Sequence, residues 1–66
     1  MSVAKIIEIS ASSSKSFEKA VKNGIKSASE SLKNITGAWI ESQKVTVKDG
    51  EISQYRVIMK VSFVLK

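Results

Sequence analysis

The stretch Glu51–Leu65, EISQYRVIMKVSFVL, alternates between two kinds of side chain from Tyr55 onward. Every second position from there is large and apolar, which gives the series Tyr55, Val57, Met59, Val61, Phe63 and Leu65. The positions between them carry Gln54, Arg56, Lys60 and Ser62, with Ile58 and Val64 as apolar exceptions. A period of two is typical of a strand with one face on a core, so this stretch predicts a long strand with one buried face.

A second strand, residues 35 to 47, precedes this one and is joined to it by residues 48 to 50, a Lys-Asp-Gly turn typical of a hairpin. Its apolar side chains change parity along the strand, from Ala38 and Ile40 to Val45 and Val47. Two interpretations remain open. Either a β-bulge near residues 42 to 44 re-aims the side chains, or the two halves bury opposite faces against different neighbours.

The first half of the chain predicts a strand followed by a helix. Residues 3 to 9, VAKIIEI, are rich in β-branched side chains and predict a strand. After the serine-rich SASSSKS, one helical stripe continues to about Lys33 through Phe17, Ala20, Val21, Gly24, Ile25, Ala28 and Leu32. We expect Ser13 as the N-cap, with Ser14 as the alternative, and Asn34 as the end of the helix. Gly24 lies on the apolar stripe and is expected to allow close approach to the sheet.

Element lengths predict self-association. A strand of about 14 residues extends ~45 Å, whereas a helix of about 19 residues covers only ~29 Å, so one helix cannot cover the hairpin. A 66-residue chain with no Cys and no His also lacks disulfides and the usual zinc ligands, which stabilise many domains of this size. We therefore predict one domain, residues 1 to 66, that forms an obligate homo-oligomer.

The basic charge does not by itself indicate nucleic acid as a partner. The net charge is +5 and the pI is about 9.8. The ten lysines are scattered and no group of aromatic residues lies among them to stack bases, so a solvated surface is the favoured interpretation. No stretch approaches the ~20 apolar residues that span a bilayer, and the N-terminus has no secretory pattern. We expect a soluble, cytoplasmic protein with no membrane partner.

Residues for catalysis or metal binding are scarce. Without His or Cys the chain has no imidazole base and no thiolate nucleophile. The carboxylates are dispersed in a way that resembles neither a calcium loop nor an acid and base pair: Glu8, Glu18, Glu30, Glu41, Asp49 and Glu51. We predict no enzyme activity and no metal site within one chain, although symmetry axes of an oligomer would gather copies of one carboxylate.

Trp39, the only tryptophan, has two interpretations. Tryptophan is common at subunit interfaces because its ring buries a large area while its N–H reaches a polar partner. Core or interface packing is therefore the first interpretation. A stacking platform for a planar ligand is the second, and it requires a concavity that an oligomer interface supplies.

The segments VAKIIEIS, SSSKSFEKAV, KNGIKSASESLKNI and QYRVIMKVSFVL, in this order, resemble the dodecins along nearly the whole chain. The resemblance implies an α+β fold, a β-α-β-β subunit whose three-stranded antiparallel sheet partly wraps one amphipathic helix. It also implies a hollow homododecamer with cubic symmetry. Dodecins bind riboflavin, FMN or FAD without catalysis, in pairs at subunit interfaces, and serve in flavin storage.

The resemblance also implies where a ligand would lie. Flavin-binding dodecins place a Trp soon after the helix, for stacking, and a Gln directly after the Tyr of the last strand, for hydrogen bonding. Here Gly37 stands at the Trp position, and Arg56 follows Tyr55 in place of the Gln. Trp39 is expected on the same strand face as Gly37, since side chains two apart share a face. The candidate ligand-binding residues are Gly37, Trp39, Tyr55 and Arg56.

These observations give two main functional hypotheses. The first is a homododecameric small-molecule binding or storage protein, with flavin as the default ligand and a weakened affinity. The second is a structural dodecameric shell without flavin that holds ions or another small ligand at its symmetry axes. Arg56, as a cation, would attract a phosphate or another anion.

Overall fold

The computed structural model describes residues 3 to 65. Its elements, in chain order, are β1 (Val3–Ser13), α1 (Phe17–Ser31), β2 (Ile35–Lys48) and β3 (Glu51–Leu65). The three strands form one antiparallel sheet in the order β1-β3-β2, which confirms the predicted β-α-β-β fold. Met1, Ser2 and Lys66, at the two ends of the predicted domain, lie outside the described residues.

The core lies between α1 and one face of the central strand β3. Val57, Met59 and Val61 are fully buried and Phe63 is 8% exposed, so the predicted buried face is confirmed over this run, while Leu65 at the end of the strand is exposed. Ala20 of α1 is also fully buried and packs in the same cluster as Val57 and Met59. Each neighbouring strand pairs with β3 over most of its length, so β3 positions the whole sheet.

Strand β1 is longer than predicted, because it continues from Ile9 to Ser13. The serine-rich segment has weak strand propensity, yet β3 offers it a continuous row of backbone partners, and Ser10 pairs with Ile58 and Ser13 with Tyr55. Backbone pairing therefore outweighs local preference here. This lengthening moves the start of the helix toward the C-terminus.

The helix begins and ends at other residues than the sequence predicted. Its N-cap is Ser16, whose Oγ accepts a hydrogen bond from the Lys19 N–H at 3.0 Å. The predicted cap Ser13 instead accepts a bond from the Lys15 N–H at 3.0 Å, in the turn between β1 and α1. The alternative cap, Ser14, is also wrong, because it lies before the N-cap Ser16. The helix is 15 residues long, not about 19, so it covers still less of the sheet than expected.

The C-terminal end of the helix also differs from the prediction. The last helical residue is Ser31, and the Leu32 N–H donates to the Ala28 carbonyl oxygen at 2.9 Å. Asn34 has the expected left-handed conformation, with φ of 64°, but it lies beyond the helix in the link to β2. This link and the first residues of β2 bring the chain back beside β3.

Gly24 allows the helix to lie close to the sheet, as predicted. A Cβ atom at this position would overlap the Cε atom of Met59 and lie 3.0 Å from the Cβ atom of Ala11. Both neighbours belong to the sheet, so any side chain at residue 24 would force the helix outward or displace Met59 from the core.

The parity change in β2 comes from a β-bulge. The register with β3 shifts between Ile40 and Ser42, so Glu41 is the additional residue, directly before the segment predicted from the sequence. Further shifts occur between Ile35 and Gly37 and between Thr46 and Val47. The hairpin closes as predicted through Asp49 and Gly50, whose φ angles of 53° and 77° are typical of a type I′ turn.

The helix packs on β1 and β3 and leaves β2 uncovered. The subunit measures 52 × 19 × 14 Å, so the hairpin extends well past the helix. Large apolar side chains are consequently exposed on both faces of the sheet: Val3, Ile6, Trp39, Ile40, Val47, Ile52 and Leu65. Among residues 3 to 65, no helix is long and apolar enough to cross a membrane.

Candidate functional site

The face of the sheet turned away from α1, which we call the helix-free face, carries most of the candidate residues. Even-numbered residues of β3 from Gln54 to Val64 lie on this face, since the odd-numbered residues from Val57 to Phe63 are buried on the helix side. Residues of β1 and β2 that pair directly with these positions lie on the same face. The central part of the helix-free face consists of Ile6, Glu8, Ser10, Ser12, Gly37, Trp39, Ser42, Lys44, Arg56, Ile58, Lys60 and Ser62.

Trp39 lies on the helix-free face, opposite Lys60 of β3. Its side chain is 47% exposed, so within one subunit it is not a core residue. Lys60 also pairs with Glu8 across the other strand interface, and its Nζ atom lies 3.7 Å from Oε1 of Glu41. The half-exposed indole therefore stands beside a charged row.

Gly37 shares this face with Trp39, as the spacing predicted. It lies opposite Ser62, whose Oγ donates to the Gly37 carbonyl oxygen at 3.2 Å and lies 3.3 Å from Oγ1 of Thr36. A Cβ atom at residue 37 would meet nothing closer than the Ser62 Oγ atom, at 3.6 Å. A Cβ atom at residue 37 would therefore make only ordinary van der Waals contact.

Tyr55 lies on the opposite face and does not join the other candidates. Its ring packs edge-on against Phe17 of α1, with centroids 5.1 Å apart and an interplanar angle of 77°. This geometry is favourable for aromatic pairs and adds roughly 0.5–1.5 kcal/mol beyond area burial. The contact between Tyr55 and Phe17 therefore packs the start of the helix against the sheet. The ligand role of Tyr55 stays a prediction.

Arg56 lies on the helix-free face, between Ser12 of β1 and Lys44 of β2. A concave basin of about 270 Å³ lies beside it, lined by Ser10, Ser42, Gln43, Lys44, Arg56 and Ile58. Arg56 and Trp39 are separated by the four-residue step from Arg56 to Lys60, or about 13 Å along the strand. The face thus holds two separate polar regions, one at Trp39 and one at Arg56.

The sequence analysis missed this basin because the bulge at Glu41 creates it. Ile40 is on the helix side of β2, and a regular alternation would place Ser42 and Lys44 on that side too. The additional residue reverses the parity and brings both to the helix-free face, opposite Ile58 and Arg56. The parity change in the sequence was a signal for the bulge, but it did not identify the residue at which the reversal occurs.

A larger cavity of about 560 Å³ opens between α1 and β1. Its walls are small residues of the helix, Gly24, Ser27, Ala28 and Ser31, and apolar side chains of β1, including Ile7 and Ile9. The run of small residues on the helix is the signal in the sequence that indicates this cavity. Within residues 3 to 65, no three acidic, histidine or cysteine side chains lie close enough together to hold a metal ion.

Known structures share this fold. Dodecin from Streptomyces davaonensis is 29% identical with a TM-score of 0.95, and the alignment covers 98% of this chain and 96% of that one. Calcium dodecin from Mycobacterium tuberculosis, a calcium-chelating immunodominant antigen with a novel calcium-binding site, is 32% identical with a TM-score of 0.84. That alignment covers 97% of this chain and 91% of the relative.

Other structures support the fold at lower identity. A dodecin from Streptomyces coelicolor has a TM-score of 0.95 at 22% identity, over 98% of this chain and 93% of that chain. No curated protein sequence matches the chain. The sequence model described as Dodecin matches residues 3–66, nearly the whole chain. With this match, the β-α-β-β topology and the relatives above, the chain is a member of the dodecin family.

Proposed function

We propose that this chain is the subunit of a homododecamer that binds and stores a small molecule on the helix-free face of its sheet, with flavin as the default ligand. The function is binding rather than catalysis. The observation that carries the proposal is the extent of apolar surface that the single helix leaves exposed, which includes Trp39 at 47% and Ile6 at 53%.

Assembly follows from this exposed surface. Ile6 and Trp39 lie on the helix-free face, while Ile40 lies on the helix side of β2, where α1 does not reach. Large apolar side chains exposed on both sides of a thin sheet are typical of subunits that are covered by further copies. The outer edges of β1 and β2 also present unpaired backbone groups, which neighbouring chains are able to pair or cover.

The flavin role rests on Trp39. The ring that family members carry at residue 37 is absent, but an exposed indole stands two residues later on the same face. Flavin affinity is expected to be weaker than in family members with the Trp and Gln. Arg56 supplies only donors, whereas the Gln it replaces supplies both a donor and an acceptor for the edge of the flavin ring.

Titration of riboflavin with the protein, followed by flavin fluorescence, tests the flavin role. Stacking on the indole is expected to quench the emission. Trp39→Ala removes the stacking partner and Trp39→Phe keeps an aromatic ring, so quenching should fall strongly in the first and only partly in the second. Unchanged emission up to high micromolar wild-type protein would remove flavin from the proposal, and unchanged binding by Trp39→Ala would remove Trp39 from the site.

The alternative is a shell that holds no flavin and binds ions where symmetry gathers copies of one carboxylate. It is favoured by the relative at 32% identity that is named a calcium dodecin. Because residues 3 to 65 contain no cluster of three acidic side chains, such a site needs several subunits. Calorimetric titration of Ca²⁺ into EDTA-treated protein tests this function. Heat of binding with a ratio below one ion per chain supports it, and the absence of heat rejects it.

A further inference from the structure

We propose that the groove between α1 and β1 receives strand β2 of a second copy of this chain, so that the two copies meet head to tail. The inference rests on the proposed homododecamer and names two surfaces that meet in it. The groove is the cavity of about 560 Å³ between the helix and β1. Residues from both faces of β1 line it, so it opens along the unpaired outer edge of that strand.

Short side chains on one flank of the helix create the groove. Asn23, Ser27 and Ser31 follow one another at a spacing of four residues, which places them on one flank. This flank is turned toward β1, because the Asn23 Nδ2 atom donates to a β1 carbonyl oxygen at 3.4 Å. Beneath the flank, Ile7 and Ile9 are only half-buried although they lie on the helix side of the sheet. Protein interiors are closely packed, so bulkier apolar side chains are needed here to complete the packing.

The opposite edge of the sheet carries side chains that suit this groove. Ala38, Ile40 and Val45 pair with odd-numbered residues of β3, so they lie on the helix side. The helix packs on β1 and β3 and leaves these three residues, which we call the β2 strip, without cover. Ile40 is 44% exposed as a result. The β2 strip is therefore an apolar surface that needs a helix over it, and the groove is a helix flank that needs apolar side chains under it.

A single contact completes both surfaces. Strands β1 and β2 are the two outer strands of the sheet, so β2 of one copy placed beside β1 of the next extends the sheet. The β2 strip then lies beneath the helix of the neighbouring copy. The part of β1 that lines the groove, residues 7 to 12, is about 20 Å long, which matches β2 from residue 38 to residue 43.

Symmetric contacts fit these surfaces less well. A β1–β1 contact would join two grooves and supply no bulky side chain to either, and a β2–β2 contact would leave both grooves open. A head-to-tail contact repeats from copy to copy until it closes into a ring. A dodecamer with cubic symmetry contains only two-fold and three-fold axes, so a head-to-tail contact within it closes after three copies.

Cross-linking tests the contact, because the chain contains no native cysteine. The variant with both Ile40→Cys and Ser27→Cys carries one thiol on the β2 strip and one in the groove. A short bis-maleimide should join this variant into species of two and three chains on a denaturing gel, and into no larger ones. The matched control combines Ile40→Cys with Ser29→Cys, since Ser29 is exposed on the same helix and lies outside the groove lining. The control and each single variant should stay at the mass of one chain.

Three results of this experiment would overturn the inference. Linked pairs from Ile40→Cys alone, or from Ser27→Cys alone, would show that the contact is symmetric. Equal linkage in the control and in the test variant would show that the thiols meet by random collision. A ladder that continues past three chains would contradict the closed ring.

Filling the groove from within the chain provides a second measurement. Ser27→Phe places a ring where the β2 strip of the neighbour would lie, so sedimentation velocity should show loss of the full assembly. Ser29→Phe adds the same ring outside the groove and should sediment like the wild type. Circular dichroism confirms that both variants are folded, and normal assembly of folded Ser27→Phe would overturn the inference.

The outcomes also separate this inference from the proposed function. An intact dodecamer in which residues 27 and 40 do not cross-link overturns the head-to-tail contact and leaves the proposed function standing. Cross-linked rings of three chains that do not assemble into twelve support the contact and reject the dodecamer.

Discussion

The two faces of β3 differ although they belong to the same 15 residues. On the helix side, the run from Val57 to Phe63 is buried within a single subunit. On the helix-free face, Arg56 is exposed and Ile58, Lys60 and Ser62 are only half-buried. The first face is completed by α1 of the same chain. The second has no cover from its own chain, so its partners must be other copies or ligands.

A 66-residue chain thus divides its apolar side chains between folding and assembly. One small core holds the subunit together, and a chain of this size has little stability to spare. The remaining apolar surface serves assembly, and the charged residues among it are available for ligands. Substitutions on the two faces should therefore produce different failures, in folding on one side and in assembly or binding on the other.

Placing a charge on the helix-free face should have the largest effect. Ile6→Asp replaces a half-exposed apolar side chain with a carboxylate that assembly would bury, at a cost of several kcal/mol for each buried ion. Sedimentation velocity should show subunits or small oligomers in place of the full assembly. Lys22→Asp, on the outer side of α1, is the control and should sediment like the wild type. Normal assembly of Ile6→Asp would contradict the role of this face.

Neighbouring residues on β3 provide the sharpest comparison of the two faces. Met59→Ala removes a fully buried side chain and should lower the free energy of unfolding by about 2–5 kcal/mol, enough to unfold an isolated subunit. Ile58→Ala, one residue away on the helix-free face, should leave the secondary structure intact. Thermal unfolding followed by circular dichroism measures both. A loss of structure in Ile58→Ala equal to that in Met59→Ala would remove the distinction between the faces.

The close contact at Gly24 tests how tightly the helix side is packed. Gly24→Val would overlap Met59 and crowd Ala11, and overpacking of this kind typically costs about 1–3 kcal/mol. The control, Ser29→Val, places the same side chain at an exposed position of the same helix and should cost well under 1 kcal/mol. Denaturant unfolding gives both values. Equal stability of the two variants would mean that α1 does not need glycine to reach the sheet.

The cap of the helix gives the smallest effect. Ser16→Ala removes the acceptor for the Lys19 N–H and should lower the free energy of unfolding by about 1 kcal/mol, or several degrees in Tm. Ser14→Ala, at an exposed residue before the cap, should change stability by less than about 0.5 kcal/mol. A larger loss of stability in Ser14→Ala than in Ser16→Ala would identify Ser14 as the N-cap instead.

Sequence periodicity was sufficient for much of this fold. Three local patterns were sufficient: the alternation in β3, the Asp49-Gly50 turn and the small residue at Gly24. Each predicted its structure correctly because the strand face, the turn and the close helix contact each require one type of residue. The ends of β1 and α1 were not predictable in this way. Five serines in the seven positions of SASSSKS offer several caps, and pairing with β3, a contact distant in sequence, selects Ser16.

The site was less predictable, for a related reason. The shared face of Gly37 and Trp39 follows from their spacing, and the opposite parity of Tyr55 and Arg56 separates those two residues in any regular strand. The pairing of Lys44 with Arg56 depends on where the bulge falls. A reversal at Glu41 brings the two cations to one face, and a reversal after Lys44 would separate them.

Native mass spectrometry of the wild-type protein tests the central claim most directly, since cover for the helix-free face must come from further copies. We expect a dominant species of twelve times 7.2 kDa, the mass of one chain. A stable, folded monomer of 7.2 kDa at micromolar concentration would contradict it, because the apolar residues of the helix-free face would then be exposed to water without a partner.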